Sequence, residues 1–342
     1  MKIAIGFKLQ EGPYGGGNSV IKSMRDAFVA AGHTVTWGLE DPDIDIIVLA
    51  DPRSRSPNIS FAAGAILRYL VFTNPNAIVV QQMHDCDERK NTKWMNRRQR
   101  IANYAADHAI CVGSWMLKLD LVRAENRHAY TALLNGADTS TFNRGDHQPW
   151  SKTGPIRLIT HHWGANWMKG FDVYSHIDQL LDDPAWRDRL SMTYIGNLPA
   201  GFAFRNVRHL EPIAGPPLAD ELRQHDAYIT ASINEPAGLH HMEGALCGLP
   251  ILYRDSGALP EYCAGFGISF TGVEDFLPAL DKFREQYDVL YRALDEYPYT
   301  DQRMTAEYLA LFEQLLERRQ TIVARRRIFR NPVLFVLNQT PF

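Results

Sequence analysis

Strand-length apolar runs alternate with helix-length amphipathic stretches along this chain, and the pattern occurs twice. Ile3-Ala4-Ile5-Gly6-Phe7 leads into a helical pattern over residues 19–31 and then Asp45-Ile46-Ile47-Val48-Leu49-Ala50. Ala77-Ile78-Val79-Val80, a polar helical stretch over 94–106, His108-Ala109-Ile110-Cys111-Val112 and a helix after Ser114 follow. Short apolar runs without polar alternation suit strands buried on both faces, and the intervening helices supply the crossovers that parallel strands require. This βαβ grammar predicts a parallel sheet with helices on both faces.

A polar, turn-rich stretch over 143–155 interrupts the pattern, which then resumes with Arg157-Leu158-Ile159-Thr160, a helix after Lys169, Met192-Thr193-Tyr194-Ile195-Gly196, Tyr228-Ile229-Thr230, a helix over 239–247 and Pro250-Ile251-Leu252-Tyr253. A length of 342 residues exceeds one ordinary core at roughly 150 residues per domain, so two domains are expected, over 1–150 and 151–310, with a tail over 311–342. Two domains imply a cleft. In open parallel sheets ligands sit beyond the carboxyl ends of the strands, so the loops leading into helices are where chemistry is sought.

Composition narrows the classes. The chain is 45% hydrophobic and 22% charged, as soluble globular proteins are. A net charge of -3 gives no reason to expect a nucleic-acid partner. Cys86, Cys111, Cys247 and Cys263 form neither a CxxC pair nor a disulfide framework, which fits a reducing compartment. The start of the chain has no export-signal pattern, and no apolar stretch reaches the ~18 residues that a span requires. The expectation is a cytoplasmic protein. His161-His162 and His240-His241 are adjacent pairs without HExxH or Cys-His spacing, so no metal is expected.

The most informative segment follows the strand at 228–230: Asn234-Glu235-Pro236-Ala237-Gly238-Leu239-His240-His241-Met242-Glu243. Pro236 suits a helix start, and Ala237 and Gly238 let a ligand approach backbone N–H groups. Glu235 is then expected in the loop and Glu243 about two turns into the helix, so that the carboxylates contact two parts of one elongated ligand. A nucleotide sugar has that length.

This segment resembles the Glu-x7-Glu motif of the retaining glycosyltransferases of family 4 (glycosyl transferases group 1). Asp255-Ser256-Gly257-Ala258-Leu259-Pro260-Glu261 is similar to that family's small-residue turn, and Leu134-Asn135-Gly136-Ala137-Asp138-Thr139-Ser140-Thr141-Phe142 to its Asn-Gly-Val-Asp-x-x-x-Phe signature. The resemblance implies a GT-B fold, two Rossmann-like doubly wound domains facing a central cleft, with acceptor on the first and donor on the second. It implies that Glu235 contacts the donor sugar, that Glu243 contacts the ribose hydroxyls, and that Ala237, Gly238 and Leu239 offer N–H groups to the donor. It also implies that the last helix crosses back onto the first domain.

Three further groups complete the expected site. Glu11-Gly12-Pro13-Tyr14-Gly15-Gly16-Gly17-Asn18-Ser19 reads as a turn before the first helix that lets a ligand approach the backbone, and the resemblance implies that Gly15, Gly16 and Gly17 border the donor phosphates and acceptor space; the plain alternative is a flexible turn followed by an Asn18 or Ser19 cap. It does not match GxGxxG, which argues against a dinucleotide. In His161-His162-Trp163-Gly164-Ala165-Asn166-Trp167-Met168-Lys169-Gly170, Lys169 is the candidate cation for a leaving diphosphate. The family's usual arginine is missing from this loop, and His162, Asn166 or Arg254 are candidates to take its place. His84 is a candidate catalytic contact to the sugar, with Asp85 fixing its tautomer or reaching the acceptor.

The chain is therefore read as a metal-independent retaining glycosyltransferase of polysaccharide biosynthesis. It needs no cofactor and moves a sugar from a nucleotide-diphosphate sugar to a carbohydrate or lipid-linked acceptor. A same-fold epimerase or hydrolase, or a degenerate nucleotide-sugar-binding module, stays open. The basic C-terminal tail, with apolar residues interleaved, admits packing on the first domain or peripheral contact with the inner face of a membrane.

Overall fold

The computed structural model describes residues 1–10, 12, 15–122 and 129–340. Both sheets are parallel throughout. In chain order the first comprises β1 (Lys2–Ile5), β2 (Thr34–Thr36), β3 (Ile46–Leu49), β4 (Ile78–Met83), β5 (His108–Cys111) and β6 (Tyr130–Ala132), with α1 (Gly16–Ala30), α2 (Ala63–Phe72), α3 (Asp87–Lys90) and α4 (Met95–Ala102) between them. The second comprises β7 (Ile156–His162), β8 (Leu190–Gly196), β9 (Arg208–Leu210), β10 (Ala227–Thr230), β11 (Ile251–Arg254) and β12 (Gly267–Phe270). Its helices are α5 (Phe171–Leu180), α6 (Pro184–Arg187), α7 (Pro216–Arg223), α8 (His240–Leu246), α9 (Leu259–Cys263) and α10 (Val273–Ala293). The chain continues through α11 (Asp301–Glu317), α12 (Arg319–Arg325) and α13 (Pro332–Gln339).

Strand order is β2-β1-β3-β4-β5-β6 in one sheet and β12-β11-β10-β7-β8-β9 in the other. Winding reverses between β1 and β3 in the first and between β7 and β10 in the second. At such switch points the loops leave toward opposite faces and open a crevice beyond the strand ends. Each sheet is doubly wound, as expected from the alternation of apolar runs.

The chain divides into two compact units. One is made of Met1–Gln10, Ile21–Leu134 and Gln302–Phe342, the other of Glu11–Val20 and Asn135–Asp301. The polar stretch over 143–155 lies inside the second unit: His147 Nε2 pairs with the His225 carbonyl at 2.9 Å, and the Trp150 amide donates to Tyr287 Oη at 3.0 Å. Its turn formers bend the chain around a buried histidine and tryptophan, so it packs as a strap.

The second core is aromatic: Phe171, Tyr174, Tyr194, Phe276, Phe283 and Tyr287 are all fully buried. In the first unit Ile46–Leu49 are buried on both sheet faces, and the two buried glutamines of β4 are bonded, Gln81 to Gln99 at 2.8 Å and Gln82 to Tyr308 at 2.8 Å. The C-terminal arginines contribute here. Arg326 donates to Asp107 through Nε at 2.9 Å and to the carbonyls of Pro75 and Ala77, and Arg319 pairs with Asp45 at 2.6 Å.

Candidate functional site

The loops after β7 and β10 flank the switch point of the second sheet, and three contacts join what they carry. The amide of Ile233 donates to the Met168 carbonyl at 2.7 Å. Lys169 Nζ donates to Glu235 Oε2 at 2.6 Å, with both side chains buried. His161 Nε2 lies 2.6 Å from Glu243 Oε2. Lys169 sits in a single 3-10 turn, Trp167–Lys169, ended by Gly170 at φ 98. A Cβ at Gly170 would overlap Ala231 of the β10 loop, so glycine brings the two loops together.

The loop after β11 fixes Glu235 from behind. Its backbone carbonyl accepts from the Ala258 amide at 2.9 Å, and the Asn234 amide donates to Ser256 Oγ at 2.9 Å. Gly257 lies between them at φ 63, where a Cβ would meet Glu235 N and O at 2.5 Å. Asn234 adopts a left-handed conformation, φ 52, which asparagine tolerates better than most residues.

The helix after this loop, α8, starts at His240, within one residue of the expected 239, but Glu243 stands on its first turn rather than two turns along, and Pro236 lies four residues ahead of it. The carbonyls of Glu235 and Ala237 accept from Ala258 and from Asn135 Nδ2 at 3.3 Å, and so do not feed a helix. Ala237 and Gly238 are half-buried and Leu239 is buried.

The glycine run is not a turn ahead of a capped helix. Gly16 and Gly17 form the first residues of α1, and Gly15 accepts from the Asn18 amide at 3.0 Å. A Cβ on Gly15 would contact Trp163 at 3.6 Å, one on Gly16 would crowd Leu239 at 3.2 Å, and one on Gly17 would have nothing within 4 Å. Glu11, Pro13 and Tyr14 lie outside the described residues.

Of the candidates to replace the loop arginine, Asn166 is exposed, whereas His162 is buried under Tyr174 Oη at 2.9 Å and Thr160 Oγ1 at 3.2 Å. Arg254 is buried, with its guanidinium on Asp172 and the Ala231 carbonyl.

The two histidine pairs converge, which neither pair alone foretells. Ring centroids lie 4.6 Å apart for His162 and His240, 6.2 Å for His161 and His240, and 5.0 Å for His240 and His241. Burial, followed by nearby cationic groups, pushes His162 and His240 well below the usual imidazole range, and burial pushes His241 down to about 3. These three rings are neutral near pH 7. Among the described residues no group of three or more His, Cys, Asp or Glu is placed to hold a metal ion.

His84 and Asp85 belong to the first unit, at the carboxyl end of β4. The carboxylate facing His84 Nε2 is Asp51, at 3.5 Å, rather than Asp85. Asp85 is buried instead among cations, with Lys90 Nζ at 2.7 Å, Arg89 at 3.5 Å and Arg53 at 3.6 Å. Burial would raise Asp51, but hydrogen bonds from Arg53 and His84 outweigh it and hold this carboxyl well below its usual range. Sequence reading missed Asp51 and Arg53; their signal was an acid just past the apolar run of β3.

No protein-family model matches the chain, and no curated protein matches it. Solved structures do. The catalytic domain of starch synthase IV from Arabidopsis thaliana, bound to ADP and acarbose, is similar over 93% of this chain and 99% of its own, with TM-score 0.67 and 13% identity. HepE from Anabaena in complex with UDP gives TM-score 0.66 over 92% and 100%, also at 13% identity. The lipopolysaccharide outer core galactosyltransferase WaaB gives 0.65 over 92% and 100%, at 13% identity. The chain thus has the two-domain α/β GT-B fold of glycosyltransferases.

Proposed function

We propose that the chain is a retaining, metal-independent glycosyltransferase that uses a nucleoside diphosphate sugar. The observation that carries this reading is the buried Lys169–Glu235 pair at the switch point of a GT-B second unit, with Glu243 held beside it by His161. Starch synthase IV bound to ADP and HepE bound to UDP and to UDP-glucose share this fold, which supports a nucleoside diphosphate as the leaving group.

In this reading Glu243 takes the ribose hydroxyls, Glu235 takes a hydroxyl of the donor sugar, and amides at Ala237, Gly238 and Leu239 take the diphosphate, with Gly15, Gly16, Gly17 and Asn166 bordering it; His162, buried under Tyr174, is a packed residue rather than a ligand contact. Lys169 stabilises the charge that grows on the diphosphate as the bond from C1 to its oxygen breaks. A cation in that position does what a metal does elsewhere, which supports metal independence. The acceptor oxygen bonds to C1 from the same face and gives its proton to the departing phosphate oxygen, so configuration is retained. His84 is assigned to the sugar on the first unit, whereas Asp85, buried among Lys90, Arg89 and Arg53, holds those cations rather than reaching the acceptor. The acceptor is a carbohydrate or a lipid-linked sugar.

A panel of nucleoside diphosphates tests the donor site by thermal stabilisation. A ligand at about 100 times its dissociation constant adds roughly 2.7 kcal/mol, a shift of several degrees. A base-selective shift lost in Glu243→Ala supports the reading. NMR of the product from the matching nucleotide sugar should then show the donor's anomeric configuration, with turnover unchanged by a chelator. An inverted product, or no shift with any base in folded protein, overturns it.

A further inference from the structure

The net charge of -3 conceals opposite charges on the two units. Residues of the first carry 23 Lys/Arg against 15 Asp/Glu, net +8, and those of the second carry 13 against 24, net -11. Much of the basic excess lies in two runs that contain no acid at all, 89–106 and 318–342. The structure brings them together: α13 lies against α4, where Asn338 Nδ2 donates to the Ile101 carbonyl at 2.9 Å.

The inner face of α13 belongs to the first core. Leu334 and Phe335 pack there, and Asn338 is buried. Its other face is apolar yet uncovered, with Val333 67% and Val336 59% exposed, and Phe329, just before the helix, 66% exposed. Positions 333, 336 and 340 share one side of a helix, so the two valines form a stripe rather than scattered exposures.

Exposed cations precede that helix in sequence and occur on the adjoining α4. Arg319 and Arg326 are held by Asp45 and Asp107, but Arg325, Arg327 and, on α4, Arg97 are exposed and have no carboxylate partner among the described residues. Trp94, 41% exposed, lies under Arg98 at 4.3 Å, the amphipathic aromatic found where apolar and aqueous phases meet.

We infer that the α4–α13 face of the first unit docks on the surface of an anionic lipid bilayer, with Phe329, Val333 and Val336 entering the headgroup region and the exposed arginines meeting lipid phosphates. A nucleic acid would match the charge, but it would leave the apolar stripe in water. A bilayer interface satisfies both halves of the surface. No helix among the described residues is long and apolar enough to cross a membrane, so the attachment is peripheral. The inference does not depend on the catalytic reading, and the failure of either leaves the other standing.

Co-sedimentation of the full chain with phosphatidylcholine vesicles, with and without about one-third phosphatidylglycerol, tests it at low and high salt. Binding is expected only to the anionic vesicles and should weaken with salt. Each arginine near such a surface contributes about fivefold in partition, so R325E/R327E should weaken binding at least about tenfold. V333D/V336D should weaken it too while keeping the melting temperature and nucleoside diphosphate binding of the parent. Equal binding to both vesicle types, no binding, or loss only on charge reversal with the valine variant unaffected would overturn the proposal. Duplex DNA binding of equal strength that ignores V333D/V336D would also overturn it, as would a solution dimer dissolved by that variant.

Discussion

His161 Nε2 and Glu243 Oε2 lie 2.6 Å apart, and the other ring nitrogen, Nδ1, is 3.1 Å from the Tyr228 hydroxyl. The backbone N–H of His161 donates to that same hydroxyl oxygen at 3.0 Å, so the tyrosine holds both the backbone and the ring of His161. A carboxylate only accepts, so Nε2 carries a proton and donates to it. A hydrogen bond to a charged group is worth about 1.5–3 kcal/mol. His161→Ala should therefore weaken nucleoside diphosphate binding by about tenfold or more, and Tyr228→Phe by less, as titration calorimetry would measure. Equal affinity in all three proteins would mean that Glu243 does not touch the ligand or needs no holding.

The Lys169–Glu235 pair is a different case, because both partners are buried. Removing one leaves an uncompensated charge, which typically costs about 3–5 kcal/mol. Lys169→Met and Glu235→Gln should each lower the urea midpoint strongly. The double variant should recover most of that loss while remaining without turnover, a result that separates the pair's structural role from its chemical one.

At Gly257 the constraint is on the backbone. Alanine there would combine a left-handed φ with a Cβ 2.5 Å from two backbone atoms of Glu235. Gly257→Ala should displace the Glu235 loop, lower stability by more than the roughly 1–2 kcal/mol that a left-handed backbone alone costs an L residue, and reduce nucleotide binding. Thermal melting with and without ligand reads both effects.

Three buried neutral histidines make the second unit sensitive to acid. In the unfolded chain His162, His240 and His241 take up protons near pH 6.5, whereas the folded protein resists until far lower, about 3 for His241. The stability they allow is therefore present above pH 6.5 and is lost as pH falls below it, at up to about 1.4 kcal/mol per pH unit for each ring. Both ring nitrogens of His241 lack a hydrogen-bond partner among the described residues, so His241→Phe should flatten the slope of unfolding free energy between about pH 6 and 5 by up to one proton's worth. Denaturant titrations at several pH values would show it, and an unchanged slope would place the sensitivity elsewhere.

How much of this was legible from sequence depended on range. The parallel sheets followed from apolar runs such as 46–49 and 78–80, because strands covered on both faces have little freedom in composition. Glu235, Glu243 and Lys169 were legible as motif residues. Their partners were not: that His161 meets Glu243, or that Asp51 rather than Asp85 faces His84, depends on which strands lie side by side, and strand order cannot be read from spacing. That Pro236 stands outside α8 was hidden for a related reason, since the carbonyls at 235 and 237 are taken by residues from distant parts of the chain. The charge asymmetry was hidden by summation, because a whole-chain total cannot reveal two units of opposite sign.

The first unit is closed by a segment made after the second unit. Its sheet is encoded before residue 134, but Arg319 and Arg326, which meet Asp45 and Asp107, arrive only after all of Asn135–Asp301 has been synthesised. On a nascent chain the second unit can complete its core first, while the earlier-made sheet waits with part of its apolar surface uncovered. The order of synthesis and the order of completion are thus reversed, and the interval between them is when apolar surface of the first unit is left uncovered.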